Sequence, residues 1–233
     1  VAEDHIGLGG IENIEQLARV KSIVPESVLP TGTAILNADN DWTYKMRETL
    51  ECKVALFSMD ENSPRIKQHL NNGGLAAVCE NGFVTICKGG WKIRVAKVAS
   101  IPLTFGGKAI FNIQNILGAV LAAFSHGVKI EDIKISLETF VPSPATTPGR
   151  MNLFNFKNFQ VLVDYAHNAH GLEAIGKFVE RVEATVKVGV IAGVGDRRDD
   201  DIRDIGRLAA KMFDEIIIRQ DKNLRGRSDQ EII

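Results

Sequence analysis

An α/β fold in two domains is the architecture that three features of the sequence predict. Short apolar runs alternate with amphipathic helical stretches, the rhythm of strands joined by crossover helices. Between residues 75 and 99 that rhythm gives way to three β-rich runs separated by Asn81-Gly82 and Gly89-Gly90, turn dipeptides that favour hairpins. The stretch Ser143-Pro144-Ala145-Thr146-Thr147-Pro148-Gly149 reads as a linker, and the alternation resumes after it. The expected division is therefore 1–146 and 147–233, the first domain a parallel sheet with helices and a small antiparallel patch.

The elements follow in order. Ile14, Leu17, Lys21 and Val24 recur at helical spacing, which puts Lys21 on an apolar stripe one turn after Leu17. Residues 34–37 form a short buried strand ending in the polar run Asn37-Ala38-Asp39-Asn40-Asp41. A helix over about 42–50, a strand at 54–57 and a helix over about 64–71 continue the alternation. The strongest helical signal is the stripe Ile113, Ile116, Leu117, Val120, Leu121 and Phe124, with Asn112 at the cap position and Gly127 at the stop. A helix over about 131–139 leads into the linker. Beyond it come strands near 152–156 and 160–164, then a helix from about 171 with Leu172, Ile175, Val179 and Val182 facing inward. A strand at 188–192, the loop at 193–199, a helix carrying Ile202, Ile205, Leu208 and Met212, and a strand at 215–219 complete the pattern.

Composition narrows the partners. At 45% hydrophobic and 24% charged, the 233 residues have the make-up of a globular domain, and a net charge of -1 gives no electrostatic footing for nucleic acid or an anionic membrane. Cys52, Cys79 and Cys87 match no metal-ligand or redox spacing, and no apolar run approaches the roughly 18 residues of a spanning helix. A cytoplasmic, reducing location is the expectation, and a homo-oligomer is compatible with it. The sequence opens at Val1 without a methionine and stops at 229–233 inside a helical pattern, so a piece of a longer protein, lacking an N-terminal part, is expected.

Several side chains could carry chemistry. Lys21 on an apolar stripe would be costly to bury as an ammonium, which favours a depressed pKa or a carbamate; snorkelling to water is the plain alternative. His5, beside Asp4, could stand near a metal or serve structurally. Asn112 and Asn115, three apart at a helix start, can lie side by side, and a carboxamide matches the N6 donor and N7 acceptor of adenine; Asn112 is equally an N-cap. Arg150, on the stiff turn after Pro148-Gly149, suits phosphate through its fixed guanidinium fork, and an ion pair between domains is the equal alternative. Asp164, His167 and Asn168 end the strand near 160–164, at the edge where ligands collect in open α/β sheets; Asp164 could accept from ribose hydroxyls or a metal-bound water, and His167 or Asn168 could instead cap the next helix. Gly193-Val194-Gly195-Asp196-Arg197-Arg198-Asp199 is glycine-rich but fails the dinucleotide pattern at Arg198, and no G-x-x-x-x-G-K-[ST] occurs, so these residues hold no P-loop.

Taken in order, Asp4-His5, Leu36-Asn37-Ala38-Asp39, Phe111-Asn112 with Asn115, Pro148-Gly149-Arg150 and Asp164-Tyr165-Ala166-His167-Asn168 resemble the Mur ligase family of ATP-dependent amide-bond-forming enzymes. Asp4-His5-Ile6-Gly7-Leu8-Gly9, the 195–199 stretch, Ile217-Ile218-Arg219 and Leu224-Arg225-Gly226-Arg227 point, within the family, to ligases that attach arginine to aspartate side-chain carboxylates of a poly-aspartate acceptor.

The resemblance implies an α/β fold made of the later part of a Mur ligase central, ATP-binding domain and a Rossmann-like C-terminal domain truncated at its end. It implies ATP and Mg2+, with phosphoryl transfer from ATP to a carboxylate and amine attack on the acyl phosphate. By position, His5 matches the metal-proximal histidine and Lys21 the lysine that many members carbamylate. Asn112 and Asn115 match the adenine-side asparagines, and Arg150 and Asp164 match nucleotide contacts. Ala169 stands where a proline is usual, and Asn40 where a second aspartate is usual. With the family's P-loop expected before Val1, these residues alone are expected to be inactive. A peptidoglycan Mur ligase, a folylpolyglutamate synthase-like ligase or a non-catalytic nucleotide-binding module are the alternatives.

Overall fold

A computed structural model describes the chain except for residues 4, 5, 194, 196, 221–223 and 233. The fold divides into two compact units, one of Val1 with Glu15–Val141 and one of Ala2–Ile14 with Pro142–Ile233. Among the described residues no helix is long and apolar enough to cross a membrane.

The first unit is built on a five-stranded sheet in sequence order: β1 (Thr33–Asn37), β2 (Lys53–Ser58), β3 (Leu75–Glu80), β4 (Phe83–Lys88) and β5 (Trp91–Lys97). β1, β2 and β3 pair in parallel, and β3, β4 and β5 pair antiparallel through the two expected tight turns. Asn81 and Gly82 both have positive φ, as a two-residue hairpin turn requires. Successive side chains of the parallel strands face opposite ways, so both faces need cover. Leu36, Leu56, Ala76 and Val78 pack beneath α1 (Ile14–Glu26), α2 (Asp41–Met46) and α3 (Pro64–Asn71) through Ala18, Met46 and Ile66. Ala55 and Ala77 face the other way, under α4 (Ile110–Ser125) and α5 (Ile130–Thr139). The sheet alternation sets this three-layer order, and it places α4 over the parallel strands.

α4 carries the expected stripe: Ile113, Ile116, Leu117, Val120 and Leu121 are buried, and Gly127 follows the last turn at φ 81°. Its cap differs from expectation. The N-cap is Ala109 and Asn112 lies inside the first turn, because the preceding 3-10 turn at Pro102–Thr104 starts the helix early, with the Ala109 amide on the Thr104 carbonyl. α1 differs as well. Its buried residues are Leu17 and Ala18, while Lys21 is exposed and Val24 is 74% exposed.

The second unit pairs β6 (Asn152–Asn155) with β7 (Gln160–Val163) antiparallel, and β8 (Val188–Ile191) with β9 (Glu215–Ile218) in parallel. β7 and β8 are not hydrogen-bonded neighbours. The packing comes from α6 (Ala169–Val179) and α7 (Asp199–Met212), which bury Leu172, Ile205 and Ala209 against Ile191, Met212 and Phe213. Glycines permit this closeness, since a Cβ on Gly176 would strike the Met212 sulfur and one on Gly189 the Phe213 ring. α8 (Asp229–Ile232) ends the described chain.

Candidate functional site

In the first unit the two asparagines meet. The Asn112 side chain is 7% exposed and its Nδ2 donates to the Leu103 carbonyl (2.8 Å), while Asn115 Nδ2 faces Asn112 Oδ1 at 3.4 Å. Asn115 itself is exposed, so its Oδ1 and second N–H face outward. The segment that aims the Leu103 carbonyl is held by Thr104, fully buried. The Thr104 hydroxyl donates to the Val98 carbonyl (2.7 Å) and accepts the Gly107 amide (3.0 Å). Leu103 and Thr104 lie outside any motif, and only their proximity to Asn112 marks them.

Lys21 lies on the exposed face of α1, so the burial that motivated a carbamate is not found. The stripe of four residues is there in spacing, but the helix rotates to bury Leu17 and Ala18 instead. His5 lies outside the described residues. Among the described residues no group of three or more His, Cys, Asp or Glu side chains is disposed to hold a metal ion.

In the second unit the linker's end and the end of β7 form one clasp. Asp164 accepts the Met151 amide on one carboxylate oxygen (2.9 Å) and the Ala166 amide on the other (2.8 Å). Met151, 2% exposed, has φ 51°, a left-handed conformation that a non-glycine residue adopts at a cost of about 1–3 kcal/mol. Asn152, also 2% exposed, accepts the Gly149 amide (2.7 Å) and donates to the Thr147 carbonyl (2.9 Å). Asp164 and Asn152 together fix the backbone on both sides of Arg150. The Arg150 guanidinium is left exposed, its carbon 5.7 Å from the centre of the Tyr165 ring.

His167 lies against the same tyrosine, ring centres 5.0 Å apart, with Nδ1 3.1 Å from the Tyr165 carbonyl oxygen. Asn168 caps α6, its side-chain oxygen accepting the Gly171 amide (2.7 Å). Arg150, Asp164, His167 and Asn168 are therefore brought together at the carboxyl end of β7. Their chemical capacities differ. Arg150 offers a free-standing cation, Asp164 retains one lone pair on each oxygen, and Asn168 is committed to the helix. Asn152 and Tyr165 were not singled out by sequence reasoning; a buried asparagine two residues after Arg150 carries no signal of its own.

The glycine-rich loop approaches this end through α6–α7 packing rather than through adjacent strands. A shallow cleft is lined by Glu3, His167, Asn168, Arg197, Arg198 and Asp201, among others. Arg198 pairs with both oxygens of Asp201 (2.9 and 2.7 Å), and that hydrogen bond holds the Asp201 carboxyl below its ordinary pKa. Asp199 pairs with Arg227, and a Cβ on Gly195 would run into the Leu224 carbonyl oxygen. The two arginine-bearing stretches that pointed to one branch of the family thus touch each other.

The Mur ligase middle domain matches residues 1–123, and the Mur ligase glutamate ligase domain matches residues 149–233. Cyanophycin synthetase from Trichormus variabilis is 49% identical over 227 residues, covering 97% of this chain and 25% of that protein. The same enzyme from Synechocystis is 48% identical over 231 residues, covering 99% and 26%. The chain therefore spans about a quarter of the length of these relatives. Among solved structures, MurF from Acinetobacter baumannii superposes with a TM-score of 0.66 at 23% identity over 94% of this chain and 45% of that one. E. coli FolC with ADP gives 0.60 at 14% identity over 100% and 49%, and at such identities both speak for the fold alone. With a middle-domain match over more than half of its residues and a C-terminal match over most of the rest, this chain belongs to the Mur ligase family.

Proposed function

We propose that this chain is the Mur-type ligase part of a cyanophycin synthetase, comprising the later part of the ATP-binding domain (1–146) and the C-terminal domain (147–233). The carrying observation is the 47–49% identity to five cyanophycin synthetases along nearly its whole length, against 25–32% to diaminopimelate-adding Mur ligases. The reaction is ATP-dependent addition of arginine to an aspartate side-chain carboxylate. The carboxylate takes the terminal phosphoryl group of ATP, the arginine amine attacks the acyl phosphate, and inorganic phosphate leaves as the amide forms. Little covalent work falls to the protein in such a transfer; positioning and fixed charge carry it.

The geometry of the asparagine pair and of the β7 end supports a role for each of their residues. Asn115 presents a donor–acceptor edge to the adenine, and Arg150 presents a permanent cation to phosphate from a backbone locked on both sides. Asp164 sets that backbone and keeps lone pairs for ribose hydroxyls. His167 and Asn168 border the cleft beside them. Lys21 and His5 take their roles from their position in the family motif alone. The phosphate cradle is supplied by residues outside this sequence, which by itself has no ligase activity.

An amine screen on the full-length protein that carries this segment tests the assignment. Arginine should be incorporated into an aspartate-based acceptor with ATP. Specific use of meso-diaminopimelate or glutamate would transfer it to another branch of the family.

A further inference from the structure

We infer that Asn152 is a positioning residue for the proposed reaction: it sets the turn that presents the Arg150 guanidinium before any phosphate arrives. The inference rests on the proposed phosphate contact of Arg150. The stretch from Thr147 to Met151 ends a proline-rich linker, yet each of its amide N–H groups has a partner. Thr147 donates to the Ser143 carbonyl (2.8 Å), Gly149 to Asn152 Oδ1 (2.7 Å), Arg150 to the Thr147 carbonyl (3.1 Å) and Met151 to the Asp164 carboxylate (2.9 Å). Gly149 at φ 68° and Met151 at φ 51° put left-handed backbone on both sides of Arg150. Such a pairing persists only where surrounding contacts hold it. Asp164 holds the Met151 side. On the other side the contacts belong to Asn152, whose Oδ1 takes the Gly149 amide while its Nδ2 donates to the carbonyls of Thr147 (2.9 Å) and Arg150 (3.3 Å).

The polarity of these partners explains the residue type. An amide N–H only donates and a carbonyl only accepts, so the side chain between them must do both, as a carboxamide does. Aspartate would set a carboxylate against two carbonyl oxygens, and leucine would answer neither kind of group. At 2% exposure Asn152 is out of reach of water that could take its place. The bonding uses only the backbone of Arg150, and the guanidinium stays exposed. A cation on a loose turn would have to order both turn and side chain on each binding event. With the turn already fixed, phosphate has only the side chain left to order, which is the gain from preorganisation.

The test is ATP-dependent arginine addition by the full-length protein that carries this segment. Wild type, Arg150→Ala, Asn152→Ala, Asn152→Leu and the two double variants are compared, each checked for cooperative unfolding. Asn152→Ala and Asn152→Leu should each lower kcat/KM for MgATP by about tenfold. The inhibition constant of adenosine, which has no phosphate, should stay within about twofold of wild type. In the Arg150→Ala background the same substitutions should change kcat/KM by less than about twofold, since the group they position is gone. A residue that only holds the domain together would cost the same in both backgrounds, and that result overturns the positioning role. A second measurement needs no variant. Hydrogen exchange of a peptide spanning 147–152 should already be slow in the nucleotide-free wild type, and MgATP should change it little. Fast exchange that slows only with MgATP overturns the inference. If Arg150→Ala lowers kcat/KM while both folded Asn152 variants keep it, the positioning role fails and the phosphate contact stands. If Arg150→Ala changes nothing, the phosphate contact itself fails, and the role of Asn152 with it.

Discussion

Removing the Asp164 carboxylate should release the turn that carries Arg150. In the folded chain that side chain accepts two backbone amides, Met151 at 2.9 Å and Ala166 at 2.8 Å. Hydrogen bonds to a charged group contribute roughly 1.5–3 kcal/mol each, and the side chain is half-buried, so a total of about 3 kcal/mol is expected from the pair. The clasp also holds Met151 in a left-handed conformation worth about 1–3 kcal/mol of strain, which favours opening once it is gone. Asp164→Ala should therefore raise the exchange rates of the Met151 and Ala166 amides by roughly a hundredfold, since 1.36 kcal/mol is about a factor of ten. Asp164→Asn keeps one acceptor and should show about half that loss in free energy. Hydrogen exchange followed by NMR makes the measurement. Wild-type exchange at both amides in a folded Asp164→Ala variant would refute the clasp.

Two further outcomes follow from the same structure. Gly195→Ala puts a methyl group into the Leu224 carbonyl oxygen, so the Leu224–Arg227 turn should separate from the glycine-rich loop and the Asp199–Arg227 pair should be lost; exchange in residues 224–227 reads this, and unchanged protection contradicts it. His69 is half-buried, with Nε2 3.1 Å from the Leu75 carbonyl oxygen, and burial lowers its pKa below the ordinary 6.5. The unfolded chain then binds the proton more readily, so stability is complete above pH 6.5 and declines as pH falls through the folded value. Urea melts of tryptophan fluorescence report this unit, since Trp42 and Trp91 both lie in it, and His69→Gln should flatten the decline between pH 7.5 and about 5.

What could be read from the sequence was whatever depends on neighbours along the chain. The α4 stripe and the antiparallel patch after Asn81-Gly82 both rest on short-range patterns, and the fold carries both of them. The side-by-side asparagines belong to this class, because three-residue spacing on a helix brings them together whatever else packs nearby. Asn168 as a helix cap was one of two local alternatives. What escaped depends on groups distant in sequence. The acceptor of Asn112 is nine residues back in a turn that no motif marks, which is why a cap position was the natural expectation. The two oxygens of Asp164 are occupied partly by Met151, thirteen residues away. Lys21 shows a different failure. α1 carries Val20, Ile23 and Val24 as well as Leu17 and Ala18, so apolar residues point in several directions and spacing alone does not say which face is buried.

The reaction proposed for the full-length protein is amide formation through an acyl phosphate on an aspartate side chain. It is tested most directly by following carboxylate oxygen in the full-length protein that carries this segment. With the acceptor's side-chain carboxylates labelled with 18O, one labelled oxygen should appear in the inorganic phosphate for each arginine joined. Amide formation with unlabelled phosphate, or with the label carried into AMP, would contradict it.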